Sequence, residues 1–279
     1  MAWYPEHHRP TAHAGSPAAV ELADLSFDGS WGRGTFETCH DALPRMTLIV
    51  DHLRGLAATT AAPQVTFSNW SLVRPTLEGL ATVFWLYDPA IDRHERVRRR
   101  FGLRLVSLTE QMSMVRPLDK VAADEIAGRM LEIKSTAQVL GMAYRQRKFA
   151  DGRIAASLDS PVPSSQRLID DLIAASTTTR GYGPFIHRMT SSVSHMQTHA
   201  VHPFVAETQD GSEPGLASVR VGLSFGTYSA VVGSVVLGTQ HTMLRLCEYY
   251  GWSRTPWDRE ARPAMAQWLR WFQQFGDAR

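Results

Sequence analysis

Residues 221–239 read VGLSFGTYSAVVGSVVLGT, a stretch without a single charge. How it is read decides the fold class. It is long enough to cross a bilayer. It also carries four glycines and several hydroxyls, with His241 and Arg245 close behind. A buried central helix of a soluble bundle explains it better, because a helix apolar on all sides must be covered. Its small residues would let neighbouring helices, or a ligand, come close to the backbone. Partial alternation over 217–225 offers a strand instead. That reading ranks below helix, since Gly and Ser disfavour strands.

The apolar pattern continues to Tyr250 and stops at Gly251, so the spacing predicts one helix over 215–250. A polar loop, TQDGSEP, precedes it, and a last helix over 256–275 carries Trp257, Trp268, Trp271 and Phe272. Towards the N-terminus, helical periodicity covers 36–58, 64–87, 92–114 and 119–149. Pro44 and Pro75 kink the first two, and Asp88-Pro89 ends the second. Asp151-Gly152 marks a turn and 158–165 a connector. Ser164 and Ser165 then cap a short helix to about residue 175. The first 35 residues, rich in Pro, Gly, His and Ala, read as an irregular arm with one short helix near 17–25. The expected architecture is all-α, a single helical bundle domain over 36–279 behind an N-terminal arm over 1–35.

The 29 Lys+Arg and 27 Asp+Glu leave a net charge of +2, which gives no global pull towards nucleic acid or an acidic membrane. Cys39 and Cys247 fit no metal spacing and no disulfide framework. The start, MAWYPEHHRP, lacks the basic-then-apolar pattern of a signal peptide. A reduced, cytoplasmic setting and no membrane association are expected.

Chemistry-bearing residues gather in HRMTSSVSH, 187–195, inside a helix predicted over 182–202. On a wheel of about 100° per residue, Ser191, Ser192, His195, His199 and His202 fall within about 60° of Arg188. Ile186, Met189, Val193, Met196 and Ala200 take the other side. The polar face holds hydroxyls, imidazoles and one guanidinium, without Lys or Glu. That suits a semi-buried cleft better than a solvated surface. Arg188 can grip phosphate or carboxylate through paired N–H groups. His195 can move a proton near neutral pH. The two lie about 10 Å apart along one face, so both can reach one phosphodiester if their tips converge. An ordinary wet helix face is the competing reading. His195, His199 and His202 also have the spacing of metal ligands on a helix. No acidic cluster lies nearby to complete such a set, and neither metal nor cofactor is expected.

Arg74 and Glu78 lie four apart on an otherwise apolar helix, so burial would require them to pair. They read as an internal ion pair, or as a pair in which Glu78 orients Arg188 or His195. Arg74, Ser192 and His199 are the expected substrate-binding residues. The basic run RHERVRRRFGLR, 93–104, reads as a phosphate-contacting helix or as a solvated helix side. Asp170-Asp171 has no second acidic motif and reads as a solvated pair.

Two segments together resemble a known group. RPTLEGLATVFWLYDPAIDRHERVRRR, 74–100, is followed about a hundred residues later by HRMTSSVSH. This order resembles an uncharacterised group of bacterial helical proteins. Those carry an Arg-Pro-x-x-Glu helix, a Trp-Leu-x-Asp-Pro turn, a basic helix and a later Tyr-Arg-x-x-Ser-x-x-x-His helix. The group is similar to the HEPN superfamily, whose ribonucleases place Arg, then four to six residues, then His. Arg188 and His195 enclose six residues, and Ser191 takes the Ser position. His187 stands where the group has Tyr, and Met189 follows Arg188. The resemblance spans about 64–202. It implies a helical bundle, commonly a homodimer, with the Arg/His helices meeting near the two-fold axis. It also implies a metal-independent ribonuclease of toxin or defence type. Arg188 would hold phosphate, His195 would be the general acid/base, and Ser191 and Glu78 would support them.

Two other classes stay open. One is a small-molecule biosynthetic enzyme with a closed pocket in the bundle, where the glycines of 222–238 make room. Arg188, His195 and Glu78 would then bind or protonate the substrate. The other is a non-catalytic dimerisation or binding module. The expected partner is accordingly RNA or a small-molecule ligand.

Overall fold

The computed structural model describes residues 11–24, 29–61, 68–148, 154–175, 181–195, 197, 205–210, 217–221 and 225–275. It is mostly helical, and its contacts divide the chain into two compact units. One comprises Met1–Leu43, Leu86–Ser164 and Glu248–Trp252; the other comprises Pro44–Trp85, Ser165–Cys247 and Ser253–Arg279.

The first unit is built on α1 (Pro17–Ala23), α2 (Gly29–His40), α5 (Arg93–Val115) and α6 (Lys120–Val139). An antiparallel hairpin of β1 (Tyr144–Lys148) and β2 (Ile154–Leu158) completes it. Asp92 caps α5, its side chain accepting the Glu95 N–H at 2.8 Å, and Asp119 caps α6 in the same way. Val97, Phe101, Leu105, Ala137, Leu140 and Leu158 form the core between them. The helix expected over 119–149 is shorter than that. It stops at Val139 because Gly141 takes φ +75°, where glycine is favoured, and the chain turns into β1. The expected connector likewise begins inside β2. The N-terminal arm also needs correction, since α2 starts at Gly29. The break before the next helix falls at Asp41 rather than Pro44, which sits in the first turn of α3 (Ala42–Thr60), where proline is tolerated.

The basic run of α5 is corrected at three positions. Arg93, Arg96 and Arg98 are buried, and Arg96 has no exposed surface. Arg96 sends Nε to Glu21 at 3.0 Å and its terminal nitrogens to the Leu86 and Ile91 carbonyls at 2.9 and 3.0 Å. Its guanidinium also lies 4.4 Å from the Tyr249 ring centre. Arg93 donates to Thr35 and to the Asp24 carbonyl, and Arg98 donates to Glu95 and the Leu158 carbonyl. A guanidinium tolerates burial when each donor finds an acceptor. Burial pushes the Glu95 carboxyl up, but hydrogen bonds from Arg98 and Arg99 outweigh this and hold it at about 2. Beside Arg96, burial pushes the Cys39 thiol up to about 11.

The second unit contains α7 (Ser165–Ala174), α8 (Tyr182–Ser194), α10 (Thr255–Phe275) and all but the end residues of α3, α4 (Ser68–Leu86) and α9 (Phe225–Tyr250). A second antiparallel hairpin pairs β3 (Val205–Asp210) with β4 (Ala217–Val221). The helix expected over 215–250 is therefore corrected at its start, and the strand reading holds for 217–221. ASVRV alternates, and VAETQD satisfies its backbone groups. TQDGSEP begins inside β3. From Phe225 the uncharged stretch is helical, and from Ser229 onward one side of it is buried. A Cβ on Gly238 would meet Leu172 at 3.0 Å, with Leu77 and Leu80 just beyond. A Cβ on Gly233 would overlap the Trp268 ring. These glycines admit side chains of α4, α7 and α10. No helix among the described residues is long and apolar enough to cross a membrane.

Candidate functional site

The site is organised by α8, and α8 is held at its start by Asp170. One carboxylate oxygen of Asp170 accepts the Gly181 N–H at 2.8 Å and the Gly183 N–H at 3.2 Å. Gly181 needs its left-handed φ of +94°, and a Cβ on Gly183 would lie 2.4 Å from the Asp170 backbone. So Asp170 is a buried capping group and not half of a solvated pair; only Asp171 faces outward, paired with Arg167. The Tyr182 phenol, pushed up by burial and partly offset by its bond to Ser234, anchors the same end on α9.

The buried side of α8 comprises Gly183, Ile186 and Thr190, joined by Ser192. This differs from the sequence wheel, which put Ser192 on the polar face. Phe185 and Arg188 are exposed, as is His195, which follows the last helical residue as its C-cap. Arg188 has no hydrogen-bond or ion-pair partner among the described residues. With Gly181, Pro184, Phe185, Met189 and Ser192 it lines an open recess of about 350 Å³. The expected helix end at 202 is corrected to Ser194, where the His195 N–H still bonds the Ser191 carbonyl at 2.9 Å. His199 and His202 lie outside the described residues.

One edge of α8 meets α4. Arg74 donates from Nε to Glu78 and from a terminal nitrogen to the Ser191 hydroxyl, both at 3.0 Å. His187 Nε2 is 3.2 Å from the same Glu78 oxygen, and Gln166 of α7 lies 3.4 Å from its Nδ1. With Gln166 donating to Nδ1, the neutral imidazole carries its proton on Nε2, aimed at Glu78. Arg74, Glu78 and His187 are 28, 30 and 13% exposed at their side chains, so this cluster is shielded without being sealed.

Of the expected site residues, Arg74, Glu78 and Ser191 therefore come together. Arg188 and Ser192 share the recess, and His195 stands apart at the helix end. Glu78 meets His187, not Arg188 or His195. His187 and Gln166 were not expected at the site. The signal for His187 was its i, i+4 relation to Ser191, which puts both on the edge facing α4. Nothing in the sequence pointed to Gln166.

The sequence matches no protein-family model, and neither a curated protein nor a solved structure shows significant similarity to it. Among the described residues, no three His, Cys, Asp or Glu side chains are grouped to hold a metal ion.

Proposed function

We propose that the chain is a metal-independent, HEPN-like ribonuclease, of toxin or defence type, acting as a cytoplasmic homodimer. The observation that carries this reading is the display of Arg188, without a hydrogen-bond or ion-pair partner among the described residues, on the outer side of α8, with His195 exposed at the end of the same helix. Phosphate recognition needs a guanidinium with donors to offer, and proton transfer needs an accessible imidazole. His195 takes the proton of the RNA 2′-hydroxyl as that oxygen attacks phosphorus. Arg188 stabilises the charge that builds on the non-bridging oxygens. The bond from phosphorus to the 5′-oxygen breaks and that oxygen takes a proton from solvent water, leaving a 2′,3′-cyclic phosphate and a 5′-hydroxyl, while His195 later returns its proton to solvent. Arg74, Glu78 and His187 act behind the face, fixing Ser191 and the orientation of α8.

A closed small-molecule pocket finds less support, because Trp268 fills the space at Gly233 and leucines fill that at Gly238. The test is cleavage of mixed RNAs with EDTA present. Wild type should produce cyclic phosphate ends, and Arg188→Ala or His195→Ala should lower the rate about 100-fold or more. RNA left intact by wild type removes the proposal. Equal cleavage by all three proteins removes these two residues from the chemistry.

A further inference from the structure

A second recess, of about 610 Å³, lies in the first unit between α2, α5 and α6. Three arginines line it: Arg100 and Arg104, one turn apart on α5, and Arg129 on α6. The wall also carries Glu37, Asp41 and Glu132, so the formal charge is balanced. What differs is engagement. Glu37 pairs with Arg100 at 2.7 Å, and Asp41 and Glu132 have partners of their own. Arg104 has no hydrogen-bond or ion-pair partner among the described residues. Among the described residues Arg129 has one ion-pair contact, to Glu125 at 3.8 Å, with both side chains more than half exposed. Arg100 keeps a buried Nε–H without an acceptor among the described residues.

Glu37 is thus already partnered, while the Arg104 and Arg129 guanidiniums retain donors not met among the described residues. Their fork geometry matches phosphate oxygens. The volume exceeds what a bare ion needs and falls in the range of small-molecule sites. Phe101 and Ile133 supply apolar wall for an organic body, and Thr136 adds a hydroxyl.

We propose that this recess binds a phosphorylated small molecule, its phosphate held by Arg104 and Arg129 and its body set against Phe101. The site is independent of the α8 chemistry and stands or falls separately from it. The test is calorimetric titration of the full chain, in low-salt chloride buffer, with phenyl phosphate, pyrophosphate and citrate as probes. Phenyl phosphate should bind saturably. Arg104→Ala and Arg129→Ala should each weaken it about tenfold, and Arg104→Lys should fall between, because Lys keeps the charge but loses the fork. Circular dichroism should show each variant folded; since Arg104 and Arg129 are not buried, both substitutions leave the core intact. No saturable phosphate binding up to about 10 mM overturns the proposal. So does binding unchanged in both alanine variants, which would place the anion elsewhere. Binding of citrate alone also overturns it, because the class would then be polycarboxylate.

Discussion

Arg96 in α5 and Arg188 in α8 carry the same side chain to opposite ends. Every nitrogen of the Arg96 guanidinium meets an acceptor supplied by the chain, and no surface is left to solvent. Arg188 is exposed and meets none among the described residues. The first is a cross-link that holds the α5 start to the segment before it and to Glu21. The second is a solvent-exposed group whose donors are not met by any described residue. The difference is set by which acceptors the backbone path brings near. Between Leu86 and Arg96 the chain turns, so two carbonyls are at hand; α8 offers Arg188 no such turn.

Several substitutions press on that contrast, and the largest effect belongs to Arg96. Arg96→Ala takes the ion-pair partner from Glu21, to which only the Tyr249 hydroxyl would still donate among the described residues, and removes the donor from two carbonyls; it should cost about 3–5 kcal/mol in urea unfolding. A cost under about 1 kcal/mol would mean that the buried network does not hold the fold. Gly183→Ala comes next. Its Cβ would press on the Asp170 backbone, so α7 and α8 must separate, at about 1–3 kcal/mol. A melting temperature equal to wild type would contradict the close approach drawn at that crossing.

Glu95 gives the contrast a pH signature. Its carboxyl is held at about 2, below its ordinary 4.5. The stability it contributes is therefore complete above about 4.5 and is lost as pH falls towards 2. Wild type should lose unfolding free energy more steeply through that window than Glu95→Gln. Parallel curves would show that Arg98 and Arg99 do not grip the carboxylate. Glu78→Gln should cost less, under about 1 kcal/mol, because its ion pair with Arg74 is near 30% exposed and screened. A larger loss would move the Arg74–Glu78–His187 cluster into the structural class with Arg96.

Periodicity made most helices legible, because α3, α4, α5 and α7 each bury one side. The hairpins were harder. YRQRK is short and almost wholly polar and IAASL short and almost wholly apolar, so neither alternates visibly, and ASVRV was hidden by the longer apolar run behind it. A charge run also says nothing of burial when the acceptors are carbonyls, which every residue carries. Arg93, Arg96 and Arg98 looked like surface residues for that reason. Asp170 was illegible in the same way, since its partners are backbone N–H groups of glycines. The Arg74–Glu78 pair was legible from its spacing, while the choice of His187 over Arg188 or His195 depended on how α8 is rotated against α4.

Arg188→Ala tests the contrast most directly, with unfolding free energy and EDTA-resistant RNA cleavage measured on the same preparation. The account predicts stability within about 0.5 kcal/mol of wild type and cleavage reduced about 100-fold or more. Unchanged cleavage, or a loss of stability comparable to that of Arg96→Ala, would contradict it.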